Sequence, residues 1–140
     1  MTLEEKEILE KYQQGVQYIS SEESEKIVEL IEKEGTFFPF HGFELYRGVC
    51  IGEVHEVGEV ITVSKNIFES WSEDENIAIE FSKERGSDVS AIYVLDEGEI
   101  KGLPLENYSG EMEWLLIAGK YIVEEAEDCE DYMKYYLKRV

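Results

Sequence analysis

The chain has 140 residues, the length of one domain, and its 43 % hydrophobic and 12 % aromatic content is that of a folding sequence rather than a disordered one. Its 33 acidic residues against 13 basic ones give a formal net charge of -20, which repels phosphates and excludes nucleic acid and anionic lipid as natural partners. The same charge suits encounter with a basic protein surface, serves solubility, and fits a non-enzymatic DNA mimic. Cys50 and Cys129 have no CxxC spacing and suggest neither a disulfide framework nor a zinc site. The acidic start, Met1–Glu10, lacks the apolar core of a signal peptide, and no apolar run approaches spanning length, so the expectation is a cytoplasmic protein with no membrane segment.

In chain order, residues 2–34 read as helix. Leu3, Ile8, Leu9, Tyr12 and Val16 recur at helical spacing. Ser21 with Ser24-Glu25 offers a cap for a second apolar stripe, Ile27, Val28, Leu30 and Ile31, which Gly35 ends. Both helices are read as packing elements. From Phe37 the pattern changes to short strands: 44–51, 57–63 with Gly58 inside it, and 67–71. Residues 74–83 return to helical spacing, with Ile77, Ala78 and Phe81 on one side. Strands follow at 90–95, 102–105, 111–118 and 121–125, and 132–140 reads as a closing strand or a helix. Helices first and strands after, with one helix embedded, predict an α+β domain with antiparallel sheets. No repeat or linker divides it, so residues 1–36 are a helical lead-in and 37–140 the core of a single domain.

Three segments carry possible chemistry. In Tyr46-Arg47-Gly48 an arginine interrupts an apolar run, which is costly unless an anion meets it; an edge strand facing water would also accommodate it. Gly48 permits close backbone approach to a ligand. In Phe68-Glu69-Ser70-Trp71-Ser72, Ser70 and Ser72 share one side of an extended chain, and Ser72 with Glu75 reads as a capping box for the helix that follows. In Glu111-Met112-Glu113 two carboxylates share a strand face, where like charges favour proton handling. Other Glu-x-Glu pairs begin at Glu5, Glu23, Glu32, Glu73, Glu97 and Glu125, so the pair itself says little. Its setting says more: a turn-forming Asn107-Tyr108-Ser109-Gly110 precedes it and the apolar Trp114-Leu115-Leu116-Ile117 follows.

Taken in order, the three segments resemble the arginine–serine–glutamate class of mono-ADP-ribosyltransferases found among phage proteins and bacterial toxins. The aromatic-Arg-Gly strand comes first. Phe68, Ser70 and Ser72 follow, leading into Ala78 and Phe81. The turn, Glu111-x-Glu113, Leu115-Leu116 and Gly119-Lys120-Tyr121 come last. The match covers roughly residues 44–125. Trp71 departs from it, standing where the family often has a small residue.

The resemblance implies N-terminal helices followed by two packed, mostly antiparallel sheets around an NAD cleft. It implies NAD as substrate, no metal, and a glycosyl transfer through a transition state like an oxocarbenium ion. Glu113 would stabilise that cation while holding a ribose hydroxyl. Arg47 would bind the phosphate or ribose side of NAD. Gly48 would offer backbone groups to the nicotinamide amide, and Ser70, with Ser72, would orient the site. Glu111 would take the proton of an arginine acceptor, which is a poor nucleophile while charged. Tyr108 would meet the target protein, whose expected features are a basic surface and a modifiable arginine. The loop at 83–89, which in the family touches the phosphates and nicotinamide, is short here, and its Lys83 and Arg85 read as solvated charges or as phosphate contacts. Two alternatives stay open: an NAD glycohydrolase on the same fold, with water as acceptor, and the acidic DNA mimic. His41 and His55 have no partner pattern and are given no role.

Overall fold

The computed structural model describes residues 1–83, 88–106 and 112–140. Glu111 and Tyr108, and with them Arg85 and the turn at 107–110, lie outside the described residues. The described residues form helices α1 (Leu3–Gln14), α2 (Ser21–Glu34) and α3 (Glu75–Ser82). They also form strands β1 (Thr36–Phe37), β2 (Leu45–Ile51), β3 (Val60–Thr62), β4 (Phe68–Ser72), β5 (Val89–Leu95), β6 (Lys101–Glu106), β7 (Met112–Ile117), β8 (Lys120–Asp128) and β9 (Met133–Arg139). No helix among them is long and apolar enough to cross a membrane.

Each N-terminal helix starts on a reciprocal cap that satisfies two orphan N–H groups. Thr2 and Glu5 cap α1, and Ser20 and Glu23 cap α2. The second cap corrects the expectation built on Ser21: the Ser-x-x-Glu spacing fits Ser20 with Glu23, one residue earlier. A 3-10 turn, Val16–Tyr18, joins the two helices. Their buried stripes, Ile8 and Leu9 with Ile27, Leu30 and Ile31, pack on Phe68, Leu103 and Leu115. Burying each such side chain stabilises the fold by roughly 1.5–3 kcal/mol.

The strands run in the order β1-β6-β7-β4-β2-β5-β9-β8-β3. Every pairing is antiparallel except β5 with β9. The reading of 132–140 as a strand holds, but β9 lies inside the sheet, between β5 and β8, rather than at an edge. The region 57–63 is strand only at Val60–Thr62. Gly58 sits before it in a turn at φ 93°, a left-handed conformation open to glycine, and its N–H still donates to the Val123 carbonyl of β8 at 2.7 Å.

The sheet has a seam. The β2–β5 register runs unbroken from Leu45↔Leu95 to Ile51↔Val89, and β4–β7 from Phe68↔Ile117 to Ser72↔Glu113. Between β2 and β4 a single pair, Tyr46↔Ser72, joins the two halves. Below the seam the halves fold toward each other over a shared core. Trp71, Trp114 and Leu116 come from one half, and Leu45, Tyr93, Leu95, Tyr121, Tyr135 and Leu137 from the other. Above it, α1 and α2 cover one half, while α3 covers the other through Ala78, Ile92 and Val94.

Candidate active site

A cleft of about 690 Å³ lies along the seam, walled by α1 on one side and α3 on the other. Of the residues singled out in the sequence, Arg47, Gly48, Ser70, Ser72 and Glu113 all line it. Sixty-six positions separate Arg47 from Glu113 in the chain, and the strand order β7-β4-β2 brings them together.

Pairing geometry explains the placement of Glu113. Ser72 is directly opposite it, and Ser70 is opposite Leu115, so Ser70 and Glu113 are diagonal neighbours on one face. The Ser70 hydroxyl donates to Glu113 Oε2. The phenol of Tyr12, on α1, donates to the same oxygen at 2.6 Å. Burial, then the charge of Glu113, pushes the Tyr12 phenol above the ordinary tyrosine range, which keeps it a donor.

Arg47 is largely buried at the seam. Its Nε donates to the Val63 carbonyl at 2.9 Å and its Nη1 to the Ser70 carbonyl at 2.8 Å. Burial lowers the pKa of the guanidinium, and the charge of Glu69 opposes that shift. Among the described residues its hydrogen bonds go to carbonyls and none to a carboxylate, so no contact neutralises the positive charge. A forked donor held this way is suited to an anionic ligand.

Ser72 differs from expectation. Its Oγ accepts from the Asp74 N–H at 3.0 Å, and Asp74, not Ser72, caps α3 by accepting from Asn76 N at 2.8 Å. Strand β4 continues through Ser72, so the cap falls two residues later, at Asp74, and the helix begins at Glu75. Gly48 has a structural reason of its own, because a β-carbon there would lie 1.7 Å from the Ala78 carbonyl oxygen. Only glycine lets α3 sit this close to β2. Phe81, expected on the buried side of α3, is 67 % exposed and lines the cleft with Ile77. Tyr46 also lines it, and burial followed by the neighbouring Glu44 raises its phenol pKa to about 12.

The departure at Trp71 has an explanation on the far side of β4. The Trp71 ring is buried in the core and its Nε1 donates to Glu69 Oε1 at 3.0 Å. Glu69 is 1 % exposed and also accepts from Gly119 N at 2.9 Å and the Tyr121 hydroxyl at 2.5 Å. Arg139 Nη2 lies 3.5 Å away. Ser70 therefore sits on a strand anchored from behind by a hydrogen-bonded carboxylate. Sequence reasoning missed both Glu69 and Tyr12. His55, given no role, is bonded at 2.7 Å to the Tyr93 hydroxyl inside the core and belongs to packing there. Among the described residues no cluster of His, Cys, Asp or Glu has the arrangement of a metal site.

A seamed mixed sheet with a helical lead-in and a cleft between its halves is the ADP-ribosyltransferase fold, as solved structures show. The chain resembles Vis toxin, an ADP-ribosyltransferase from Vibrio splendidus, with a TM-score of 0.64 and 16 % identity over 85 % of this chain and 56 % of that one. It resembles Vis in complex with agmatine with a TM-score of 0.65 and 12 % identity, over 85 % and 57 % of the two chains. For Vis in complex with the M6 inhibitor the TM-score is 0.58 and the identity 19 %, over 70 % and 48 %. The likeness is one of fold, and this chain spans about half the length of those it matches. No protein-family model and no curated protein sequence matches it.

Proposed function

We propose that this protein is an NAD-dependent mono-ADP-ribosyltransferase that places ADP-ribose on an arginine of a target protein. The observation that carries the reading is the Ser70–Glu113 hydrogen bond with Arg47 across the same cleft, its hydrogen bonds among the described residues going to carbonyls. The bond between nicotinamide and ribose C1′ breaks with its electron pair leaving on nicotinamide. The ribose ring that remains carries developing positive charge. Glu113 stabilises that charge and holds a ribose hydroxyl, with Ser70 fixing its side chain. Arg47 binds the phosphate or ribose side of NAD, and Gly48 offers backbone groups to the nicotinamide amide. Ser72 holds the turn at the end of β4. Phe81 supplies an aromatic face for a planar ring of NAD.

A nitrogen of the acceptor guanidinium then bonds to C1′, and its proton passes to Glu111. Tyr108 meets the target. Agmatine, bound in one Vis structure, carries a guanidinium, which supports arginine as the acceptor class. The net charge of -20 supports a target with a basic surface.

The test is nicotinamide release from NAD by the wild type and Glu113→Gln, with labelled NAD and a lysate present. The expected result is turnover by the wild type, a loss of about 10²–10³-fold in the variant, and label on protein arginines. Nicotinamide release without label would make the protein a glycohydrolase. No NAD consumption by either protein would remove the enzyme reading and leave the acidic binder.

A further inference from the structure

We propose that Tyr12 is a positioning residue for Glu113, its phenol and the Ser70 hydroxyl clamping one carboxylate oxygen so that the other is presented to the ribose. The proposal rests on the assignment of Glu113 given above. It assigns part of the active site to α1, a helix whose sequence reads as packing.

The geometry has three parts. Tyr12 and Ser70 donate to the same atom, Glu113 Oε2, from a helix and from a neighbouring strand. The Tyr12 ring is held edge-on against Phe68, with centroids 5.4 Å apart and planes at 76°, so the phenol has a fixed direction. The next residue, Gln13, donates from Nε2 to the Glu106 carbonyl at 3.1 Å. That ties the end of α1 to β6, where Leu105 is the register partner of Glu113.

The chemistry favours a tyrosine here. A carboxylate on a cleft wall has several orientations, and two donors converging on one oxygen select among them. At 2.6 Å the phenol contact has the length of a charge-assisted O–H···O⁻ bond. A phenol supplies that bond without placing a positive charge beside the cation that develops on the ribose. A lysine or arginine in its place would supply the bond and oppose the reaction. Loss of the clamp leaves NAD binding to Arg47 and the cleft walls but lets Glu113 wander from the reacting carbon.

Steady-state nicotinamide release by the wild type, Tyr12→Phe, Ser70→Ala and the double variant tests this, with Glu113→Gln alongside. Phenylalanine keeps the ring and its contact with Phe68. The expected result for Tyr12→Phe is a kcat lower by about tenfold to a hundredfold with KM for NAD within about twofold. The double variant loses less than the product of the two single losses, because both donors serve one oxygen. A wild-type kcat in Tyr12→Phe, a change confined to KM, or losses that multiply overturns the clamp. If Tyr12→Phe does not fold, Tyr12→Met is judged against the same thresholds. Full turnover by Glu113→Gln is a separate outcome, which overturns the assignment of Glu113 itself.

Discussion

Gly48 and Ala78 are packed backbone to backbone: a β-carbon on Gly48 would overlap the Ala78 carbonyl oxygen, at 1.7 Å. The obstacle is main chain and cannot rotate away, so Gly48→Ala must push α3 off β2. The expected cost is about 3 kcal/mol or more, the upper part of the range for overpacking. A urea unfolding curve of the variant measures it. NAD turnover should fall as well, because Ile77 and Phe81 on α3 form one wall of the cleft.

Arg47→Lys keeps the charge and loses the fork. Arg47 meets the carbonyls of Val63 and Ser70 with two different nitrogens. A lysine has a single ammonium and cannot span both while also facing the cleft. The expected outcome is a KM for NAD raised about tenfold or more, with a smaller change in kcat. Initial rates across a range of NAD concentrations separate the two.

Glu69→Ala should be among the most destabilising single changes. It removes the acceptor of Trp71 Nε1, the Gly119 N–H and the Tyr121 hydroxyl, and the opposite charge beside Arg139. Donors left buried and unpaired cost about 1–3 kcal/mol each, so a total of roughly 3–5 kcal/mol is expected. The shift of the urea midpoint at neutral pH checks it.

Alkali should unfold the protein early. Burial is the leading cause that raises the phenols of Tyr12, Tyr46, Tyr93 and Tyr121 above their ordinary value, that of Tyr46 to about 12. Each folded-state value lies above the unfolded one, near 10. Between the two the unfolded chain has lost its proton and the folded one still holds it, so stability declines as pH rises. The contribution is fully present below about pH 10 and disappears as pH climbs toward the folded values. Urea midpoints at pH 8, 9.5 and 11 should be level over the first interval and fall over the second.

Arg47, Ser70 and Glu113 were singled out by the order of three segments and the resemblance that order carries, since an arginine on a strand, a serine before a helix and a Glu-x-Glu pair each have an ordinary reading alone. Strand pairing then places all three on one cleft. Tyr12 was not legible. It sits in register with Ile8 and Leu9, and helical periodicity says nothing about which hydroxyl on a stripe will meet a strand a hundred positions later. Glu69 was hidden by the abundance of glutamate, since an acidic chain makes one buried carboxylate look like any other. Phe81 was misplaced for the opposite reason. Apolar spacing assigned it to the core, but the tight approach of α3 to Gly48 turns Ala78 inward and leaves Phe81 at the rim. The cap of α3 was set two residues early because the turn that separates β4 from the helix has no apolar marker.

Strand β4 alternates sharply. Ser70 and Ser72 face the cleft, while Glu69 and Trp71 face the core. A strand that slipped by one position would exchange these sets, driving a carboxylate and an indole into the cleft and two hydroxyls into the apolar interior. Such a slip would strip Glu69 of three donors and Glu113 of Ser70 at once, so a misaligned chain loses its buried anchor and the cleft hydrogen bond together. An error in register cannot spoil one face of β4 and spare the other, so the alternation of these four residues secures both the core and the lining of the cleft.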